Sequence, residues 1–128
     1  MTRIIHPQLS YNINGCCFRA AKKLDRFASE RQFADELEKE FLTSDIKYLR
    51  EYQLDKLPEV ERKGNRVDFF VENTIILDVK AKKFITKEDY YQMLRYLESA
   101  NLELGLIVNF RSTFIKPKRV VNNRYKPN

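Results

Sequence analysis

The run Ile75–Lys80 (IILDVK) constrains the fold more than any other part of this chain. Consecutive branched apolar residues are typical of a strand buried inside a sheet, yet an aspartate and a lysine stand two apart within this one. Side chains at positions i and i+2 of a strand point to the same face, so we expect Asp78 and Lys80 to project together. Charged side chains are rarely buried unless they are paired, bound to a metal or part of a site.

A second carboxylate, Asp68, interrupts the preceding strand-like run at 66–71. The dipeptide Glu72-Asn73 is a short turn signal between this run and the run 74–81, which predicts a β-hairpin. Asp68 and Asp78 then lie at similar distances from the turn and nearly opposite each other. Cross-strand neighbours come within about 5 Å at Cβ, so we expect the two carboxylates to be close.

Two carboxylates at that separation repel each other unless a cation lies between them. Oxygen ligands favour Mg²⁺ or Mn²⁺, and the backbone carbonyl of Val79 would add a further oxygen. Such an ion polarises a phosphoryl oxygen and acidifies bound water, while Lys80 would hold that water or neutralise charge on the phosphate. The pattern therefore predicts metal-assisted phosphodiester hydrolysis. The alternative is a charge cluster at the sheet edge, with Lys80 paired to one aspartate.

The other periodicities predict an α/β (α+β) domain. An apolar stripe from Ile13 to Phe41 indicates one long helix, or two joined near Asp25-Arg26, with Ser10 as the N-cap and an exit at 43–45. Further predictions are a strand at 46–54, an edge segment at 57–60, a turn at 63–65, a helix from 86, and strands at 104–110 and 118–121. A hairpin followed by a helical crossover gives a mixed sheet of about four to five strands flanked by helices.

The length of 128 residues predicts one domain over 1–128, and its formal charge of +6 is unevenly distributed. The segment from about 111 to 128 contains six basic and no acidic residues, and the rest of the chain holds 18 of each sign. This asymmetry favours a polyanion partner, although a solubilising tail is the alternative. The candidate nucleic-acid-binding residues are Arg111, Lys116, Lys118, Arg119 and Arg124.

The cysteines exclude two classes of small domain. Cys16 and Cys17 are adjacent and His6 is the only histidine, which argues against a disulfide scaffold and a zinc site. We expect both cysteines to pack as small apolar residues in a reducing compartment. The sequence shows no signal peptide and no membrane-spanning apolar run, so we predict a cytoplasmic protein without a membrane partner.

An aspartate, a hairpin-length gap and Asp-x-Lys together resemble the PD-(D/E)XK nuclease superfamily. More specifically, the chain resembles its GxxExxY family of small bacterial proteins over about 5–122. The matching pieces are 6–11 (HPQLSY), 30–33 (ExxF), 66–68 (RVD), 76–81 (ILDVKA), 91–97 (YQMLRYL), 105–110 (GLIVNF) and 118–122 (KRVVN).

This resemblance implies a restriction-endonuclease-like core and adds two residues to the site. Spacing alone leaves Glu30 at the edge of the apolar stripe, solvated or paired with a nearby arginine; the resemblance implies that it joins Asp68, Asp78 and Val79 in the metal site. Gln92 matches a glutamine near the catalytic centre. The chain departs from the motif twice, with Phe27 in place of its glycine and Phe33 in place of its tyrosine.

The leading interpretation is therefore a Mg²⁺- or Mn²⁺-dependent nuclease with Asp68, Asp78, Lys80, Glu30 and Gln92 as catalytic residues. Nucleic acid is the expected partner, DNA in preference to RNA, and a homodimer is left open. One alternative is a nucleic-acid-binding module of the same fold without useful catalysis. Another is a protein-interaction or oligomerisation unit. The aromatic residues with alternative roles are Tyr90, Tyr91 and Tyr96 for nucleic-acid contact, and Tyr48, Tyr52, Phe69 and Phe70 for a protein interface.

Overall fold

The computed structural model of the chain describes residues 5–54 and 66–127. The edge segment predicted at 57–60 and the turn predicted at 63–65 lie outside the described residues. In chain order the elements are α1 (Pro7–Lys23), α2 (Glu30–Thr43), β1 (Tyr48–Gln53), β2 (Arg66–Val71), β3 (Ile75–Lys80), α3 (Lys87–Ala100), β4 (Leu104–Asn109) and β5 (Lys118–Val121).

The five strands form one mixed sheet in the order β1-β2-β3-β4-β5. Only β3 and β4 run parallel, because α3 carries the chain back between them, and the other neighbours are antiparallel. The turn between β2 and β3 is tight: Glu72 and Asn73 both have positive φ, and the Thr74 N–H donates to the Val71 carbonyl at 2.9 Å. These are the features of the type I′ hairpin turn. The predicted α/β fold with a mixed sheet is confirmed.

Helices cover both faces of this sheet and produce two hydrophobic cores. The larger core lies between one face and helices α1 and α2, where Ile13, Cys17, Leu37 and Phe41 meet the apolar side chains of β2–β4. The smaller core lies between the other face and α3. Strands β3 and β4 are covered on both faces, which explains their nearly uninterrupted apolar sequences.

The helical stripe forms two helices rather than one. Ser29 is the N-cap of α2, and its hydroxyl and the Gln32 side chain form a reciprocal capping box. The prediction of Ser10 as an N-cap is wrong, since α1 begins at Pro7 and the Ser10 hydroxyl donates to the His6 carbonyl inside the helix. Proline is suited to a first helical turn because the N–H it lacks has no intrahelical partner there.

Both cysteines are unbonded and buried in the larger core, as expected for small apolar residues. Burial raises the pKa of the Cys17 thiol far above its ordinary value, so this group stays protonated and unreactive. Within residues 5–54 and 66–127, no helix combines the length and apolar character needed to cross a bilayer.

Gly105 is required by the packing of α3 on β4. A Cβ at this position would lie within 3 Å of two atoms of Met93, which is fully buried. We therefore expect Gly105→Ala to lower the free energy of unfolding by about 1–3 kcal/mol, because a close-packed core has no room for the displaced thioether. Urea denaturation measures this change.

Gly15 supplies a matched control in α1. A Cβ there meets only the end of the Arg19 side chain, at 3.2 Å, and that side chain is half exposed. We expect Gly15→Ala to leave stability unchanged or to raise it, since alanine favours helix. Equal losses from both substitutions would contradict this account of Gly105.

Candidate active site

The site forms where β2 and β3 separate. Their paired positions run from Val71 and Ile75 to Phe69 and Leu77, and beyond that point side chains take over the hydrogen bonds. The Val79 N–H donates to Asp68 Oδ2 at 2.6 Å, and the Asp68 N–H donates to Asp78 Oδ1 at 3.5 Å. Each aspartate side chain thus accepts a hydrogen bond from a backbone amide of the opposite strand. We call the place where β2 and β3 separate, at Asp68 and Asp78, the fork, and both carboxylates lie in it.

A change of strand face accompanies this fork. Tyr48 and Phe69 pack against the larger core, whereas Tyr52, four residues after Tyr48, and Val67, two residues before Phe69, pack against the smaller one. The regular alternation of a strand would put both residues of each strand on one face. The pairing of β1 with β2 omits Glu51, opposite Asp68, and Glu51 has a φ of 52°. Such a backbone is unusual for glutamate, and it allows Asp68 to leave the ladder.

Burial makes the carboxylate pair electrostatically costly. Asp78 is only 5% exposed, and burial together with the nearby charge of Asp68 raises its pKa to about 7. Burial also raises the pKa of Asp68, partly offset by the Val79 N–H and by Lys80, while Glu30 adds to the rise. Without a cation, the folded protein resists ionising both aspartates.

Lys80 follows Asp78 on the α3 side of the sheet. Its Nζ lies 4.0 Å from Asp89 Oδ1 in the first turn of α3, and the other Asp89 oxygen pairs with Lys82 at 2.5 Å. Asp89 also accepts the N–H and the hydroxyl of Thr86. Burial opposes the ionisation of Asp89, but the Lys82 contact and the Thr86 donors lower its pKa overall. Asp89 is therefore a fixed anion that positions Lys80 beside the aspartate pair.

The structure places the other predicted site residues around this centre. Glu30 is exposed at the first position of α2, near enough to Asp68 to affect its pKa. Gln92 is half-buried one helical turn after Asp89, and Tyr96 follows one turn later. The charge of Asp78 adds to the burial that raises the pKa of Tyr96, so α3 runs alongside the pair.

The metal set of Asp68, Asp78, Val79 and Glu30 stays a prediction. Within the described ranges, no group of three or more His, Cys, Asp and Glu side chains is arranged to hold a metal. Glu30 therefore does not form a three-carboxylate cluster with Asp68 and Asp78. What the fork offers is two carboxylates, each with one oxygen that accepts no hydrogen bond from residues 5–54 or 66–127.

The basic residues of the C-terminal segment are dispersed. Arg119 donates to Ser10 and to the Ile5 carbonyl on the α1 side, whereas the Lys118 ammonium lies 5.6 Å from the Tyr90 ring on the α3 side. The remaining three also differ in position: Arg124 pairs with Glu98, Lys116 is exposed, and Arg111 lies over a phenylalanine ring.

The aromatic residues suggested for a protein interface are buried or half-buried and pack in or against the two cores. Phe69 is fully buried, Tyr48 packs between Phe41 and Phe69, and Tyr52 stacks on Phe70 with their centroids 5.3 Å apart. The assumption that these four side chains are exposed is wrong. Among the three tyrosines of α3, Tyr96 is buried, Tyr90 is half-buried and only Tyr91 is exposed.

Comparison with known protein families gives one match. A family model described as the PD-(D/E)XK nuclease superfamily matches residues 7–121, which include every element from α1 to β5. The chain belongs to this superfamily. Nuclease activity on nucleic acid is the function that this membership indicates, and its members usually use divalent metal ions. No curated protein and no solved structure matched the chain.

The raised pKa of Asp78 predicts how stability depends on pH. Between its ordinary value of 3.8 and about 7, the folded protein binds more protons than the unfolded chain. The free energy of unfolding of the metal-free protein should therefore fall as the pH rises through this window, by on the order of 2–4 kcal/mol. Asp78→Asn should abolish most of this fall and be more stable than wild type at about pH 8.

Urea denaturation in EDTA across this pH range measures the effect. Asp45→Asn is a matched control, since the Asp45 side chain is 94% exposed and should leave the pH dependence unchanged. A wild-type protein that gains stability with rising pH across the window would contradict the assignment.

Proposed function

We propose that this protein is a Mg²⁺-dependent nuclease that hydrolyses phosphodiester bonds, with Mn²⁺ as a substitute ion. The observation that carries the proposal is the buried Asp68–Asp78 pair in the strand fork, with Lys80 two residues further along β3. We also propose that the chain is a GxxExxY protein, that residues 1–128 form one nuclease domain, and that it acts in the cytoplasm.

The donor set of the fork fits a hard divalent cation. Two buried like charges are costly alone, and a cation between them would remove that cost and lower both pKa values. Mg²⁺ keeps several waters and needs only one or two protein carboxylates, which suits a fork without a third. Zinc prefers nitrogen and sulfur ligands, and neither cysteine is available since both are buried in the larger core.

Asp68 and Asp78 would hold the ion, and the Val79 carbonyl is a further ligand in the proposal. When bound, a divalent ion polarises the phosphate and acidifies a water. The amides of Asp68 and Val79 fix the carboxylates, so no reorganisation is needed when the substrate arrives. Lys80, oriented by Asp89, would hold the attacking water or neutralise the phosphate, and Glu30 and Gln92 would help to place that water.

DNA is the proposed substrate in preference to RNA. The proposal also includes a homodimer, which size-exclusion chromatography with light scattering would measure. Lys116, Lys118 and the other basic residues of 111–128 would contact phosphates without reading sequence.

The first test pairs cleavage with metal binding. We expect Asp68→Asn and Asp78→Asn to reduce Mg²⁺-dependent cleavage of labelled DNA by more than about 100-fold, and Lys80→Gln by about 100- to 1,000-fold. Calorimetry should detect Mg²⁺ binding to wild type and to Lys80→Gln but not to the two aspartate variants. Thermal unfolding should show that all three fold.

Asp45→Asn is the control for this set, since the Asp45 side chain is 94% exposed and pairs with Lys47 at 3.8 Å, outside both the fork and the α1–α2 connection. Its metal binding and cleavage should match wild type. Cleavage that survives in Asp78→Asn, or a wild-type protein that binds no Mg²⁺ even with DNA present, would overturn the proposed function.

A further inference from the structure

A basic groove with exposed aromatic rings lies beyond the carboxyl ends of β3 and β4, and Arg111 is the one lining residue that the proposed function already uses. It encloses about 590 Å³ and is lined by Arg26 and Phe27 from the α1–α2 connection, by Lys83 after β3, and by residues 111–114 after β4. We call this feature the basic groove. None of its lining side chains is acidic, and three are cationic.

The basic groove is attached to the candidate active site through the ends of two strands. Lys83 follows Lys80 by three residues, so their Cα atoms are at most about 11 Å apart. Lys80 is paired with Asn109 in the parallel ladder, and Arg111 follows two residues later. The Asn109 side chain connects the segments that follow β3 and β4. It donates to the Lys82 carbonyl at 2.7 Å and accepts a hydrogen bond from the Lys82 N–H at 3.1 Å. The groove is therefore held rigidly next to Lys80.

The cations of the groove retain unused hydrogen-bonding capacity. Among the described residues, Arg111 Nε is the one buried side-chain nitrogen or oxygen without a hydrogen-bond partner. The guanidinium groups of Arg111 and Arg26 lie 5.5 Å and 4.9 Å from the Phe27 ring centre. One nitrogen of Arg26, Nη1, donates to the Thr113 hydroxyl at 3.4 Å. Arg26 and Lys83 are exposed, and their remaining donors are accessible to an anion such as a phosphate.

Two phenylalanine rings make the groove more than a phosphate site. Phe27 is 64% exposed and Phe114 is 86% exposed, although both are large apolar side chains. Exposed aromatic rings between cations are how proteins bind single-stranded nucleic acid, because each base stacks on a ring while the phosphates contact the basic groups. In a duplex the base faces are already stacked on each other and cannot do this.

We propose that the basic groove binds an unpaired segment of the substrate, so that single-stranded nucleic acid, or a duplex with an unpaired end, is the substrate class. The bases stack on Phe27 and Phe114, and Lys83 and Arg111 contact the phosphates. The assignment to a substrate rests on the proposed function, but the binding itself does not, and it is measured without metal.

Fluorescence anisotropy in EDTA tests the groove with labelled oligonucleotides of about 12 nucleotides, single-stranded DNA, RNA of the same sequence, duplex, and a single strand of abasic residues. Phe27→Ala and Phe114→Ala should each weaken binding of the single strands about 5- to 100-fold, the range of single aromatic platforms. Neither should alter binding of the abasic strand by more than about twofold. Arg111→Gln and Lys83→Gln should weaken binding of every oligonucleotide and reduce its salt dependence.

Phe18→Ala is the matched control, since Phe18 is 51% exposed on α1 with the Lys22 ammonium 4.3 Å from its ring centre, outside the groove. It should bind as wild type does. Equal losses for Phe18→Ala and Phe27→Ala, equal losses on abasic and normal strands, or tighter binding of duplex than of single strand would each overturn the proposal. Displacement of the single strand by poly-glutamate at equal charge would also overturn the proposal, because it would indicate a surface that recognises only negative charge.

Cleavage on the same oligonucleotides separates this proposal from the proposed function. Selective binding of single strands without Mg²⁺-dependent cleavage would overturn the nuclease assignment and leave the groove intact. Cleavage that is unaffected by Phe27→Ala and Phe114→Ala on every substrate would overturn the groove and leave the nuclease assignment intact.

Discussion

The short hydrogen bond from the Val79 amide to the Asp68 carboxylate is the contact on which the site depends. A strand that leaves its partner exposes backbone amides, and a buried amide without an acceptor is costly. Asp68 resolves this problem with its side chain, and the same contact brings the carboxylate beside Asp78. The site is thus built from the hydrogen bonds of an interrupted sheet. A single interaction stabilises the fork and at the same time creates the repulsion between the two carboxylates, which a cation would relieve.

The remainder of the site balances this repulsion. Lys80 supplies a positive charge on the same face of β3, yet a lysine on a flexible stem would neutralise the aspartates as an ion pair and occupy the place of a metal. Asp89 prevents this by drawing the ammonium toward α3, and its fixed position comes from its second task in the capping box of that helix. A helix cap at the start of the crossover therefore helps to set the position of the lysine in the strand before it.

Much of the fold could be predicted from local sequence patterns. The residues that indicate a turn, a helix cap or a strand in the sequence also stabilise that element in the structure. The hairpin at Glu72-Asn73, the cap at Thr86 and strand β5 are examples. The pairing of Asp68 with Asp78 is predictable for the same reason, since a short turn determines the register. The positive φ of Glu51, the proximity of Asp89 to Lys80 and the dispersal of the C-terminal cations arise from contacts between distant segments. Glu51 lies in a run with ordinary strand composition, and Asp89 has a complete local explanation as a helix cap, so neither residue carries a sequence signal of its second role.

The two positions at which the chain departs from the GxxExxY motif that it resembles differ in their structural roles. Phe33 is fully buried and stacks on Phe110 with ring centres 4.4 Å apart and planes nearly parallel. It therefore anchors the end of β4, from which residues 111–114 continue as one wall of the basic groove. Phe27, six residues earlier, stays exposed in that groove between two guanidinium groups. One phenylalanine holds the wall in place and the other lines it. Because both positions lie at the same corner of the domain, the two phenylalanines would change how the proposed nuclease holds a substrate, while the proposed catalytic residues Asp68, Asp78 and Lys80 are all present.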